Sequence, residues 1–219
     1  MNREGLRSGR LALIEAAERL IAEEGPAVSL RQVVSAAGQR NSSAIRYHFG
    51  TRAELIGAVV DARQSVFEPK RLRHLAELEA AGEVTARGLI RALLEPVFEH
   101  QRGAQPSHHA RFMEKIRDHA GVELVRRQDW AATRLIASQL ARCSTPVPES
   151  QRATRTRGLI SVVFALLADL ERAEHRTLEE REAAEQATID MVLGVVRFDP
   201  SAELGRTAVP DLRMDRASV

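Results

Sequence analysis

Two short helical patterns lie close together in residues 29–52, with a glycine between them and polar caps at their starts. Ser29 and Gln32 match a capping box, in which each side chain satisfies an orphan backbone N–H at a helix start. The apolar residues that follow recur at helical spacing. Gly38 then favours the left-handed conformation that ends a helix. The order predicts a short helix, a tight turn and a second short helix.

The second helix is expected to begin at Asn41, a residue that favours the N-cap, and to last about two turns. Ile45 and Phe49 are four residues apart, so both would point inward from the same face. Thr51 and Glu54 match another capping box, which predicts the start of a third helix. This small unit would therefore leave the polar side of its second helix exposed.

Polar and basic side chains occupy the side that the inward anchors leave free. The major groove of DNA admits one α-helix, and helix–turn–helix proteins place the second helix of the pair there. Arginine can pair with a guanine edge or a phosphate, and hydroxyl groups can donate to phosphate oxygens. We therefore expect DNA contacts from these residues: Arg31, Gln39, Arg40, Asn41, Ser42, Ser43, Arg46, Tyr47, His48 and Arg52.

The charge of this region fits a phosphate partner better than the charge of the whole chain does. The 219 residues carry a net formal charge of only +2. Residues 29–52, by contrast, contain four arginines and no acidic residue. Such a local excess of positive charge is what a phosphate backbone selects. An ordinary corner of an all-α domain is the alternative interpretation of the same helices.

The unit resembles the DNA-binding signature of the tetracycline-repressor (TetR) family of bacterial regulators, over residues 29–55, SLRQVVSAAGQRNSSAIRYHFGTRAEL. The matching features are Ala37-Gly38, the run Ile45–Phe49 and the helix start Gly50–Arg52. The turn is one residue longer than is usual in the family, and Arg46 stands where the family most often has tyrosine. The resemblance implies a cytoplasmic homodimer that represses transcription from a palindromic operator until a small-molecule effector binds.

Helical patterns continue through the rest of the chain, so the predicted fold class is all-α. The helix that starts at Thr51 is expected to end near Phe67, because Pro69 removes a backbone N–H and clashes with the preceding turn. A separate helix would follow it. Further along, one helix is expected over residues 108–119 and another over 121–143.

Three regions are expected. Residues 1–66 would form a three-helix, helix–turn–helix DNA-binding domain with its connecting helix. Residues 67–198 would form a helical effector-binding and dimerisation domain, and residues 199–219 a mobile tail. The segment Leu159–Leu170 is apolar on most of its circumference, whereas a surface helix has one apolar stripe. That segment predicts a helix covered on two sides, by the core of its own chain and by a second chain.

The effector site is predicted less sharply than the DNA-binding face. The resembling family binds small, often apolar effectors among its C-terminal helices. Large side chains of the middle helices are therefore candidates for effector contacts: Phe67, Phe98, Phe112, Met113 and Trp130. Ordinary core packing is the alternative for each of them.

The sequence gives no sign of catalytic or cofactor chemistry. The single cysteine, Cys143, excludes a disulfide framework and a cysteine metal cluster, which fits a reducing cytoplasm. His108, His109 and His119 lack the helical spacing that would join two ligands on one face. Neither an apolar run of about 18 residues nor the apolar core of a signal peptide occurs. We predict no enzyme, cofactor, metal or membrane partner, with an all-α enzyme and a helical interaction protein as alternatives.

Overall fold

The computed structural model describes residues 3–39, 44–103, 106–125, 130–143, 147–174 and 177–197. For residues 3–7 and 118–125 it describes the helical backbone alone. Every regular element in these ranges is an α-helix, so the all-α prediction is confirmed. In chain order the helices are α1 (Arg3–Glu24), α2 (Leu30–Ala36), α3 (Ala44–Phe49), α4 (Arg52–Ala81), α5 (Ala86–Gln101), α6 (His109–Val125), α7 (Ala131–Arg142), α8 (Glu149–Arg172) and α9 (Leu178–Arg197).

The starts of α2 and α4 carry the two predicted capping boxes. The Ser29 backbone N–H donates to Gln32 Oε1 at 2.9 Å, and the Gln32 backbone N–H donates to Ser29 Oγ at 3.3 Å. The Thr51 backbone N–H donates to the Glu54 carboxylate at 2.7 Å. Between α2 and α3, Gly38 has a φ of +65°, which a side chain would disfavour. Local sequence therefore determines where these helices begin and where α2 ends.

The fourth helix runs without a break through Pro69, so the predicted helix end near Phe67 is wrong. Phe67, Arg71 and Leu75 are buried on both sides of the proline. In addition, the Arg71 guanidinium donates to Gln64 Oε1 at 2.6 Å, across the proline. Burial and this bond offset the backbone hydrogen bond that proline removes. As a result, one helix crosses the predicted boundary between residues 66 and 67.

The sixth helix also passes a predicted break. It continues through Gly121 to Val125, whereas the sequence suggested that one helix ends at 119 and another begins at 121. A glycine inside a helix costs about 1 kcal/mol relative to alanine. That penalty is too small to end a helix by itself, so α6 continues through Gly121.

Buried apolar side chains form two clusters. The first cluster joins α1, α2, α3 and the start of α4 to Phe112 of α6 and to Trp130. The second cluster fills the space between the rest of α4 and α5, α7, α8 and α9, and includes Phe67 and Phe98. Ala110 of α6 belongs to the second cluster. The sixth helix therefore contributes to both cores.

The last two helices leave apolar surface uncovered in the single chain. Residues 159–166 of α8 are each only partly buried. On α9, Met191 and Val195 are 48% and 40% exposed. None of the helices in the described ranges has the length and apolar character needed to cross a membrane.

Candidate nucleic-acid interface

The third helix is fixed by two apolar anchors and presents its polar residues outward. Ile45 and Phe49 are 3% and 8% exposed, as their spacing predicted. Arg46 is exposed, and Tyr47 is 68% exposed. His48 is half-buried, with its ring edge-on to Tyr47 at 5.0 Å between centroids. The outward face of α3 therefore offers a guanidinium and a phenol to a partner.

The first helix supports this arrangement from behind. The Arg10 guanidinium lies 5.0 Å from the centroid of the Phe49 ring, a distance at which a cation is attracted to the aromatic face. Gly9 lies close to the Gln39 side chain, because a Cβ at Gly9 would meet Gln39 Nε2 at 3.3 Å. The turn before α3 and the last residue of α3 are therefore both held against α1.

Arg52 braces the same unit from the start of α4. Its Nη1 donates to the backbone carbonyl of Val28 at 2.6 Å, and its Nη2 donates to the carbonyl of Pro26. Both carbonyls lie in the turn between α1 and α2. A cation in the first turn of a helix is opposed by the helix dipole, so these acceptors offset an unfavourable position. Sequence reasoning missed this role, because the contacts join residues 24 and 26 positions apart.

Only some of the predicted DNA contacts can be placed. Arg31 is exposed in the first turn of α2. The structure thus brings Arg31 into the same small unit as Arg46 and Tyr47. The predicted contacts at Arg40, Asn41, Ser42 and Ser43 lie outside the described residues.

Comparison with known sequences finds the same unit in a described family. Residues 13–59 match the profile of bacterial regulatory proteins of the tetR family. Over these residues the chain is similar to the TetR family. The match runs from the interior of α1 to the first part of α4, so it contains both helices of the pair and the adjoining parts of the two helices that hold them.

Individual relatives share this end of the chain. The HTH-type transcriptional repressor Rv3405c of Mycobacterium tuberculosis and the HTH-type transcriptional regulator Mb3439c of Mycobacterium bovis are each 34% identical to it over 80 residues. Those residues are 36% of this chain and 40% of each relative. The chain thus matches these relatives over less than half of their length.

The candidate effector residues are all part of the cores. Phe67, Phe98, Phe112, Met113 and Trp130 are each 4% exposed or less. Phe67 lies edge-on to His100 and His109, with ring centroids 5.7 and 5.3 Å apart. A groove of about 540 Å³ between α4 and α5 is lined by other residues, including His74 and Glu99. Burial alone therefore does not distinguish effector contacts from core packing.

The adjacent histidines at the start of α6, His108 just before the helix and His109 as its first residue, have different partners. His108 Nδ1 lies 2.8 Å from Arg111 Nη2, whereas His109 Nδ1 lies 3.2 Å from Glu18 Oε1. In the part of the chain that the structure describes, no group of histidine, cysteine or acidic side chains could hold a metal ion. His109 instead takes part in a buried ionic group that the sequence did not predict.

Proposed function

We propose that this chain is a DNA-binding transcriptional regulator of the cytoplasm, a repressor that reads a palindromic operator as a homodimer and responds to a small molecule. One observation carries the proposal: α3 is anchored by Ile45 and Phe49 and turns Arg46 and Tyr47 outward. A helix fixed in this way can enter a major groove without unfolding. The names of the mycobacterial relatives, a repressor and a regulator, support the same function.

The test is DNA binding by the purified protein, measured by fluorescence anisotropy on duplexes from the region upstream of its own gene. Replacing Arg46 with Ala should weaken specific binding by about 1–3 kcal/mol, the usual worth of a good base contact. Arg73→Ala is the matched control, because Arg73 is also exposed but lies on the later part of α4. Equal losses in both variants, or no loss in either, would contradict the assignment of α3 as the reading helix.

A second copy of the chain supplies the second reading helix in this proposal. Helix–turn–helix dimers bind two half-sites about 34 Å apart, so the distance between the two α3 helices has to be fixed. The partly buried middle of α8 and the exposed Met191 and Val195 of α9 support these helices as the dimer interface. Paired helices from two chains would form a four-helix bundle.

The effector acts in this proposal by favouring a dimer whose reading heads are wrongly spaced. Its proposed surroundings are the buried aromatic residues between the middle helices, with Phe67 beside His100 and His109. Linkage requires that an effector which lowers DNA affinity by some factor must itself bind more weakly, by the same factor, when DNA is present. That reciprocity can be measured once a ligand has been found.

A further inference from the structure

A buried carboxylate on α1 joins three helices. Glu18 is 2% exposed, yet it is ionised at neutral pH. The Arg63 Nε of α4 donates to its two oxygens at 2.9 and 3.1 Å, and Arg63 Nη2 makes a further bond. His109 Nδ1 of α6 lies 3.2 Å from Glu18 Oε1. Burial alone would raise the pKa of Glu18, but the bonds from Arg63 and His109 lower it from 4.5 to about 2.

This ionic triad, defined as Glu18, Arg63 and His109, lies where the two apolar clusters meet. On α4, Val60 belongs to the first cluster and Phe67 to the second, and Arg63 stands between them. His109 lies at the start of α6, and its ring is 5.3 Å from the ring of Phe67 in the second cluster. The triad therefore connects the two apolar clusters through one buried carboxylate.

Charged contacts fix an orientation better than apolar contacts do. The hydrophobic effect is non-directional, so two apolar surfaces can shift against each other at little cost. A guanidinium that meets both oxygens of a carboxylate requires one geometry. Moreover, if one partner of a buried pair is removed, the other is left as an uncompensated buried charge. The triad is therefore built to hold one arrangement of α1 against α4 and α6.

We propose that Glu18 is a positioning residue: through Arg63 and His109 it sets the angle at which the α1–α3 unit, and with it the reading helix, is held against the C-terminal helices. The effect of this orientation on DNA binding rests on the function proposed above. The structural claim, that the unit has one fixed orientation because of this carboxylate, stands independently of it.

A second buried carboxylate extends the connection to α8. Glu171 of α8 accepts hydrogen bonds from the backbone N–H groups of Ala110 and Arg111, at 3.2 and 3.0 Å, and so caps the start of α6. His109, the residue before Ala110, holds the same end of α6 to Glu18. The start of α6 is thus tied both to α1 and to one of the proposed dimer helices.

Glu171 also provides the matched control. It is as buried as Glu18, with 2% of each side chain exposed, and it is likewise paired with an arginine, Arg111 Nε at 3.2 Å. Both partners of this pair, however, lie in α6 and α8, and among the described residues their hydrogen bonds stay within these helices and the segment just before α6. Glu171→Gln should therefore lower the melting temperature, as Glu18→Gln should, without changing the orientation of the α1–α3 unit.

The orientation can be measured in the full chain by electron–electron double resonance. The single cysteine, Cys143, is exposed at the end of α7, and Ser35→Cys adds a second label site on the exposed side of α2. Labelled protein diluted with unlabelled protein gives the distance within one chain. We expect a narrow distribution in the parent and in Glu171→Gln, and a shifted or broader one in Glu18→Gln. Arg63→Met should change the distance distribution as Glu18→Gln does. The distribution of the double variant should be no broader than that of either single variant.

DNA binding provides the second readout. Without a fixed orientation, the α1–α3 unit populates the binding-competent orientation only part of the time. Glu18→Gln should therefore bind upstream DNA about tenfold more weakly than the parent. The affinity of Glu171→Gln should be close to that of the parent. A parent protein that binds no upstream DNA would refute the proposed function, while the distance measurement would still decide the orientation claim. A changed distance with unchanged affinity would refute the role of Glu18 in DNA binding.

A purely structural role has its own signature. In that case Glu18→Gln would lower the melting temperature but leave the distance distribution equal to that of the parent, and the proposal would be overturned. If circular dichroism shows that Glu18→Gln does not fold, Glu18→Asp decides. It keeps the charge but shortens the side chain, so the proposal requires a broader distribution than the parent gives.

Discussion

Arg52 illustrates how one guanidinium can serve either folding or DNA binding. The sequence predicted a DNA contact, because Arg52 lies in the first turn of a helix, where the helix N-terminus itself favours a phosphate. In the structure, two of its N–H groups are directed at the carbonyls of Pro26 and Val28. A guanidinium has five N–H donors, so the brace does not use all of them. The two roles differ in how binding depends on salt.

If bracing is the main role, Arg52→Ala should lower the free energy of unfolding by about 2 kcal/mol, which lies within the range of about 1.5–3 kcal/mol for hydrogen bonds to a charged group. The slope of log affinity against log salt should equal that of the parent. Loss of a phosphate contact would instead reduce the slope by about one. Urea denaturation and DNA titrations at several salt concentrations measure both quantities. Unchanged stability with a smaller slope would favour the phosphate contact instead.

At the residue scale, local spacing predicted more of the site than long-range contacts did. The inward positions of Ile45 and Phe49 followed from their separation of four residues, and the structure confirms them. The environment of Arg52 and the pairing of Glu18 with Arg63 depend on residues 24 to 45 positions away. No local pattern records such contacts, because they exist only after the helices have packed.

At the scale of the helices, one carboxylate of α4 explains how a poorly capped helix can start. The N-cap residue of α7 is Trp130, which makes no side-chain capping bond. Glu68 of α4 replaces that cap, because its carboxylate accepts from the backbone N–H groups of Ala132 and Thr133 at 2.9 and 3.3 Å. The same carboxylate pairs with the buried Arg71 at 3.1 Å. Glu68 therefore stabilises two elements at once.

Replacing Glu68 with Ala should lower the free energy of unfolding by about 3 kcal/mol or more, because it removes a helix cap and leaves Arg71 as an unpaired buried charge. Glu77→Ala is the control: Glu77 lies on the same helix and pairs with His74, but it is 63% exposed. Its loss should change stability by at most about 0.5 kcal/mol. Urea unfolding of both variants makes the comparison, and similar effects would contradict the role of Glu68 as the cap of α7.

The helix ends that were predicted wrongly have the same origin. Pro69 and Gly121 are breakers by propensity, and a propensity is a weak preference that packing can override. Burial of Phe67 and Arg71 on either side of Pro69 keeps α4 continuous. By contrast, the starts of α2 and α4 were predicted well, since a capping box forms within four residues. Sequence patterns therefore predicted the helix starts that carry a capping box better than the breaks at proline and glycine.

At the scale of the whole molecule, the exposed apolar residues of α9 bear on the proposed homodimer. Stable interfaces bury about 1,600 Å² and place apolar side chains at their centre. Met191 of α9 and Leu135 of α7 are almost equally exposed in the single chain, at 48% and 47%. Only Met191 lies on a helix assigned to the interface. Substitutions at these two residues can therefore distinguish a dimer through α8 and α9 from non-specific association of exposed apolar side chains.

Met191→Glu should raise the dimer dissociation constant by about tenfold or more, since an interface would bury the new charge without a partner. Leu135→Glu should leave it unchanged. Sedimentation velocity at micromolar concentrations measures both variants against the parent. Binding to a palindromic duplex should weaken with the dimer, whereas binding to a single half-site should not, because one reading helix is enough there. Two results would contradict α8 and α9 as the dimer interface: a parent protein that sediments as a monomer, or equal effects of the two substitutions. The spacing of two reading helices would then need another explanation.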